Sequence, residues 1–101
     1  MNADPAPKRK LSEMISEMAG GFINVGKTPE EKQNRLTAVC SAWNMACGSL
    51  EIRRQQLEQY VEGYQRFNPA TSQNDLAKIR SDMQSLIERK LQMFPEDQKL
   101  A

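Results

Sequence analysis

The chain has 101 residues, with 14 Lys or Arg and 13 Asp or Glu, so its formal net charge is only +1. Such a balance gives no overall field that would attract nucleic acid or an acidic membrane. His is absent, which excludes a Cys–His nucleophile and any imidazole metal ligand. The length suits a single domain with a modest core.

The composition predicts an all-α fold. Leu, Met, Gln, Glu, Lys, Arg and Ala dominate, whereas the β-branched and aromatic residues favoured in strands are sparse and never alternate over a useful run. No apolar segment approaches the roughly 20 residues that span a bilayer. No signal-peptide pattern follows the first basic residues. We therefore expect a cytoplasmic protein that does not contact the membrane.

The N-terminal residues 1–10 are expected to be a disordered lead-in, because two prolines lie among small residues there. They include the only basic cluster of the chain, Lys8, Arg9 and Lys10. The first helix is predicted over residues 11–19 and ends before Gly20 and Gly21, since each glycine weakens a helix by about 1 kcal/mol. Its apolar residues follow an i, i+3, i+4, i+7 pattern: Leu11, Met14, Ile15 and Met18.

Residues 21–28 read GFINVGKT, a literal match to the phosphate-binding loop G-x-x-x-x-G-K-[ST]. That loop normally follows a buried β-strand, whereas a helical pattern precedes this one. Pro29 also removes an amide donor from the first turn after the loop. The same residues form a strong helix start, with Thr28 as N-cap, Pro29 at the first position and Glu31 at the third. Nucleotide binding is therefore kept only as a remote alternative.

A long central helix is predicted over residues 29–67, because its apolar residues keep a seven-residue spacing over more than four repeats. Gly48-Ser49 allows a different interpretation, in which Gly48 ends one helix and Ser49 caps the next. The heptad phase continues across this dipeptide and favours the unbroken helix. One row consists of Leu36, Trp43, Leu50, Leu57 and Tyr64, and the other of Val39, Ala46, Tyr60 and Phe67.

The third helix is predicted over residues 72–94, after a turn at Asn68-Pro69 and with Ser72 or Thr71 as its cap. The short turn favours an antiparallel helical hairpin, in which this helix packs along the later half of the central helix. Residues 95–101 are expected to be a flexible tail. The domain is thus a helical bundle at residues 11–94, completed by dimerisation.

Residues 36–50, LTAVCSAWNMACGSL, contain no charged side chain and offer apolar or small residues on almost every face of a helix. The third helix covers only the later half of the central helix and the first helix is short, so the uncovered area exceeds what a monomer usually tolerates. A symmetric homodimer is the simplest cover. The predicted interface comprises Leu36, Val39, Cys40, Trp43, Ala46, Cys47 and Leu50.

These patterns favour a non-enzymatic helical protein–protein interaction module that self-associates, such as an adaptor or a small regulatory protein. A different protein is the alternative partner for the same face. A small nucleic-acid-binding regulator, using the N-terminal basic cluster with Arg53 and Arg54, is a weaker alternative because no basic stripe is present. The acidic residues lie beside bases on solvent-facing positions, so no catalytic, cofactor-binding or metal-binding residues are assigned.

Overall fold

The computed structural model describes residues 10–101, and this part of the chain is all-helical, without a β-strand. Except for Lys10, the predicted disordered lead-in lies outside the described residues, as do Lys8 and Arg9 of the basic cluster. The helices are α1 (Leu11–Ala19), α2 (Pro29–Ala46), α3 (Leu50–Phe67) and α4 (Gln73–Met93).

Helix α1 has the bounds that its sequence periodicity predicts, and it buries Met14, Ile15 and Met18. It ends at Gly20, whose φ of 58° lies in the left-handed region that favours glycine. The N–H of Gly20 donates to the carbonyl oxygens of Ser16 and Glu17, so the last turn of the helix is closed by hydrogen bonds.

Helix α2 begins at Pro29, with Thr28 as its N-cap, as predicted. The Thr28 side-chain oxygen accepts a hydrogen bond from the Glu31 N–H at 3.1 Å. The Glu31 carboxylate in turn accepts a hydrogen bond from the N–H of Lys27 at 2.6 Å. In a standard capping box the donor would be the N–H of the N-cap itself, Thr28. These bonds satisfy donors that a helix start would otherwise leave unpaired.

The predicted long central helix is divided in the structure into α2 and α3, so the alternative break at Gly48-Ser49 is the correct interpretation. Ser49 caps α3, because its side-chain oxygen accepts from the Ile52 N–H at 3.3 Å. Gly48 packs closely in this turn, where an added Cβ would lie 3.1 Å from Ile52 Cγ2. The heptad spacing failed as a guide because its rows can continue across a capped turn without a continuous helix.

Helix α4 follows the predicted turn. The Asn68 side-chain amide donates to the carbonyl of Tyr64 at 3.1 Å, and Ser72 caps α4 through the N–H of Asp75 at 3.1 Å. The hairpin of α3 and α4 is antiparallel, with Arg80 bonded to Glu58 through two nitrogens at 2.8 and 3.0 Å. The most extensive packing of α4, however, is against α2 rather than against α3.

The core lies where α1, α2 and α4 meet, and α3 adds to it from one side. Because α2 turns at Gly48, α4 can run back from α3 and cover the charge-free face of α2 within one chain. The side chains with the lowest exposure include four apolar residues and one lysine: Trp43, Met18, Met83, Val39 and Lys90.

Candidate interaction surfaces

The predicted interface residues do not form one exposed surface. Val39, Trp43 and Ala46 are buried within the single chain, with 0%, 0% and 3% exposure. Three others, Leu36, Cys40 and Cys47, are half-buried, and only Leu50 is largely exposed. The charge-free stretch therefore needs the cover that its composition predicts, but most of this cover is supplied by the rest of the chain.

Trp43 is held in an aromatic and cationic environment at the junction of α2 and α4. Its ring centroid lies 5.8 Å from that of Phe94, and the Lys90 ammonium lies 5.0 Å from the Trp43 ring centroid. Lys90 has no exposed surface, although lysine is almost never fully buried unless paired. A signal was present in the sequence, since Lys90 falls between Ile87 and Phe94 on the apolar stripe of α4.

The C-terminal tail supplies the remaining cover of Trp43. Its indole Nε1–H donates to the carbonyl of Lys99 at 2.6 Å, and the Lys90 ammonium donates to the carbonyl of Asp97. The N–H of Ala101 donates to the side-chain oxygen of Asn44 at 2.7 Å. The tail thus provides the acceptors that buried donors on α2 and α4 require, and its flexibility stays a prediction.

An open groove of about 520 Å³ lies between the first half of α2 and the second half of α3, with α4 as its floor. Arg35 lines it and is fixed in place by a hydrogen bond to the carbonyl of Phe22 at 3.1 Å and by a cation–π contact with that ring at 4.7 Å. The charged side chains in the groove are of both signs: Lys27, Glu31, Arg35 and Asp82.

An aromatic stripe on α3, consisting of Tyr60, Tyr64 and Phe67, borders this groove. The spacing of i, i+4 and i+7 places the three side chains on one face of the helix, and the two tyrosines line the groove itself. Exposure increases along the stripe, from half-buried Tyr60 through Tyr64 at 39% to Phe67 at 85%. Burial raises the pKa of the Tyr60 phenol, and the neighbouring Tyr64 raises it further.

A smaller groove, of about 260 Å³, separates the first half of α3 from the second half of α4, and Arg53 and Arg54 line it. Arg53 is half-buried and donates through Nη2 to the carbonyl of Gly48 at 3.1 Å. Its Nε is buried without a hydrogen-bond partner among residues 10–101. Arg53 is thus engaged in the turn between α2 and α3, which weakens its candidacy as part of a nucleic-acid patch.

Both cysteines are free and half-buried, Cys40 on α2 and Cys47 directly after its last residue. Burial raises the pKa of the Cys40 thiol. The pKa of the Cys47 thiol is also raised, mainly by burial and further by the Asp97 carboxylate, with an opposing contribution from the Lys90 charge. Raised pKa values keep both thiols protonated and weakly nucleophilic at neutral pH.

The GFINVGKT segment forms the connection between α1 and α2, and α1 precedes it where a phosphate-binding loop would have a strand. The Glu31 carboxylate accepts a hydrogen bond from the backbone N–H of Lys27. In a phosphate-binding loop, backbone N–H groups of this kind donate to the phosphate. Gly26 is buried against the first turn of α2, where an added Cβ would lie 3.0 Å from the Lys32 nitrogen. Close packing of the loop on α2 thus explains this glycine without a nucleotide.

Among residues 10–101, no three His, Cys, Asp or Glu side chains are grouped as they would be around a metal ion. No helix in this range is long and apolar enough to cross a membrane. The chain matches no model of a known protein family, no curated protein and no solved structure.

Proposed function

We propose that the protein is a non-enzymatic helical protein–protein interaction module that self-associates, as an adaptor or a small regulatory protein would. The observation that carries this proposal is the exposed aromatic stripe beside the open groove between α2 and α3. Burying a Phe side chain is worth about 1.5–3 kcal/mol, and Tyr is enriched among the residues that dominate binding energy at interfaces. The proposed interface uses the last members of the heptad rows, Tyr60, Tyr64 and Phe67, in place of the predicted interface within residues 36–50.

A second copy of the chain suits this surface because groove and stripe lie side by side. A two-fold contact places the stripe of each copy against the groove of the other in a single interface. The groove carries two basic and two acidic side chains, Lys27 and Arg35 with Glu31 and Asp82. Such a surface can pair opposite charges with its own copy, whereas a groove of one sign would repel it.

Sedimentation equilibrium over a range of micromolar concentrations tests the proposal. The unchanged protein should be a concentration-dependent dimer, and Phe67→Ala combined with Tyr64→Ala should weaken the dimer by about 2 kcal/mol or more, which is roughly 30-fold in the dissociation constant. Ile52→Ala is a matched control, because Ile52 is an exposed apolar residue of α3 (47%) that does not line the groove.

Circular dichroism of each variant shows whether the helices are retained. A monomer at every concentration would contradict self-association. An equal loss of dimer in the Ile52 variant would show that the interface lies elsewhere on α3.

A further inference from the structure

We propose that the face of α2 and α4 beneath the C-terminal tail is a binding site for an extended peptide, and that residues 97–101 are its resident occupant. This surface uses Trp43, Asn44 and Lys90, none of which lines the groove between α2 and α3. The inference therefore goes beyond the proposed self-association, and it names a second class of partner.

The contacts between this face and the tail recur at every second residue. Lys90 donates to the main-chain oxygen of Asp97, Trp43 donates to that of Lys99 at 2.6 Å, and Asn44 accepts from the main-chain nitrogen of Ala101 at 2.7 Å. In an extended chain, residues i, i+2 and i+4 present the same side. The site thus contacts the tail main chain at alternate residues, as it would contact an extended strand, while the N–H of Lys99 donates within the tail to Asp97 Oδ1 at 3.0 Å.

Two of the groups that bind the tail also contact each other, and both are buried with the tail in place. Trp43 and Lys90 are both fully buried, and each packs against the other through the cation–π contact at 5.0 Å. A buried ammonium and a buried indole N–H are costly when they lack an acceptor. Because the tail supplies the acceptors of both groups, a partner can enter only by replacing the tail.

The tail itself is held by few side-chain contacts. Gln98 and Lys99 are exposed, and Leu100 has 66% of its surface exposed, so little apolar burial stabilises the bound tail. Any extended segment offers the same carbonyl oxygens and N–H group. A helical partner does not, because its carbonyls are already bonded within the helix. The partner class is consequently an extended peptide recognised largely without regard to its sequence.

Competition in the full-length protein tests this proposal. A dansyl group on Leu100→Cys, with Cys40 and Cys47 replaced by Ala, accepts energy from Trp43, the only tryptophan. The probe is a synthetic hexapeptide with the sequence of residues 96–101. It should lower energy transfer saturably at millimolar concentration, since a tethered segment competes at an effective concentration of about a millimolar.

Two further peptides test what the site recognises. A hexapeptide of scrambled sequence should compete about as well as the first one, because the contacts are to the main chain. A hexapeptide with proline in the last position lacks the N–H that Asn44 accepts, and it should compete about fivefold less well, the worth of one hydrogen bond. A scrambled peptide that fails to compete would refute main-chain recognition.

A reversible lock provides the matched control. The Cys47 sulfur lies 3.8 Å from the Asp97 oxygen and 3.9 Å from the Lys99 oxygen, on either side of residue 98. A disulfide between Cys47 and Gln98→Cys, in a chain with Cys40→Ala, should prevent binding of a fluorescein-labelled hexapeptide measured by anisotropy, and reduction should restore it. Binding that persists in the locked protein, or no competition at any soluble peptide concentration, would show that the tail is a permanent part of the core.

Discussion

Replacing Trp43 by Ala is the perturbation whose effect the structure defines best. Trp43 is fully buried in its own chain, so the change removes a large side chain from the core and leaves a cavity, which costs about 3–5 kcal/mol. It also removes the hydrogen bond to the Lys99 carbonyl, worth about 1 kcal/mol. The expected loss is about 4–6 kcal/mol, against a total stability of roughly 5–15 kcal/mol for a domain of this length.

Urea denaturation followed by circular dichroism measures this loss in the absence of a tryptophan signal. Trp43→Phe is the matched control, because it keeps a ring beside Lys90 and Phe94 and loses the indole N–H and part of the volume; it should cost roughly 2 kcal/mol. The difference between each variant and the unchanged protein should be the same at every protein concentration, since the cover of Trp43 belongs to its own chain.

Two results would refute this reasoning. One is a loss below about 1.5 kcal/mol for Trp43→Ala, which would mean that the side chain is not enclosed. The other is a difference in the free energy of unfolding that grows as the protein is diluted, which would show that Trp43 lies in an interface between copies. Blue-shifted emission and weak iodide quenching of the unchanged protein provide an independent check.

The remaining predictions concern two glycines, the N-cap of α3 and the two thiols. Gly20→Ala should destabilise the protein by about 1 kcal/mol or more, because alanine is strained at a positive φ. Gly63→Ala should instead stabilise α3 by about 0.5–1 kcal/mol, because nothing lies within 4 Å of the added Cβ. Thermal unfolding measures both changes. Ser49→Ala should cost about 1 kcal/mol in urea denaturation by removing the N-cap of α3, and an unchanged midpoint would show that the turn does not depend on it. Cys40 and Cys47, whose pKa values are raised by folding, should react with a disulfide reagent at a higher pH than in the urea-unfolded chain. Because the protonated thiols are favoured in the folded state, their contribution to stability should be present below the ordinary thiol pKa of 9.0 and lost as pH rises above it.

Local signals account for most of the correct predictions about the helices. Thr28, Pro29 and Ser72 fixed two helix starts because capping involves only neighbouring residues. Gly20 and Asn68 lie at two predicted ends for the same reason. The sequence also allows a break before Ser49, but the long heptad pattern favours a continuous helix over this short capping signal. The observed cap shows that the local signal was the better guide here.

The cover of the charge-free stretch depended on information that sequence spacing does not contain. The residues of α4 and the tail that enclose Trp43 lie about 50 positions along the chain from it, and nothing local to Trp43 indicates which segment packs there. Lys90 was the overlooked signal, because a charged residue on an apolar stripe needs a polar partner at the same depth. That the tail supplies this polar partner of Lys90 can be inferred only once the end of α4 is known to lie beside Trp43.

By itself, the sequence determined the all-α class, the starts of α1, α2 and α4 and the need to enclose residues 36–50, since composition, caps and a charge-free stretch act locally or through the identity of the side chains. Only the tertiary structure decided what encloses that stretch, which apolar residues stay exposed and where the aromatic stripe lies. The physical reason is that burial depends on the direction in which each helix leaves a turn. At Gly48 that direction sends α3 and α4 back over α2, so that Val39, Trp43 and Ala46 of the predicted interface are buried within the single chain.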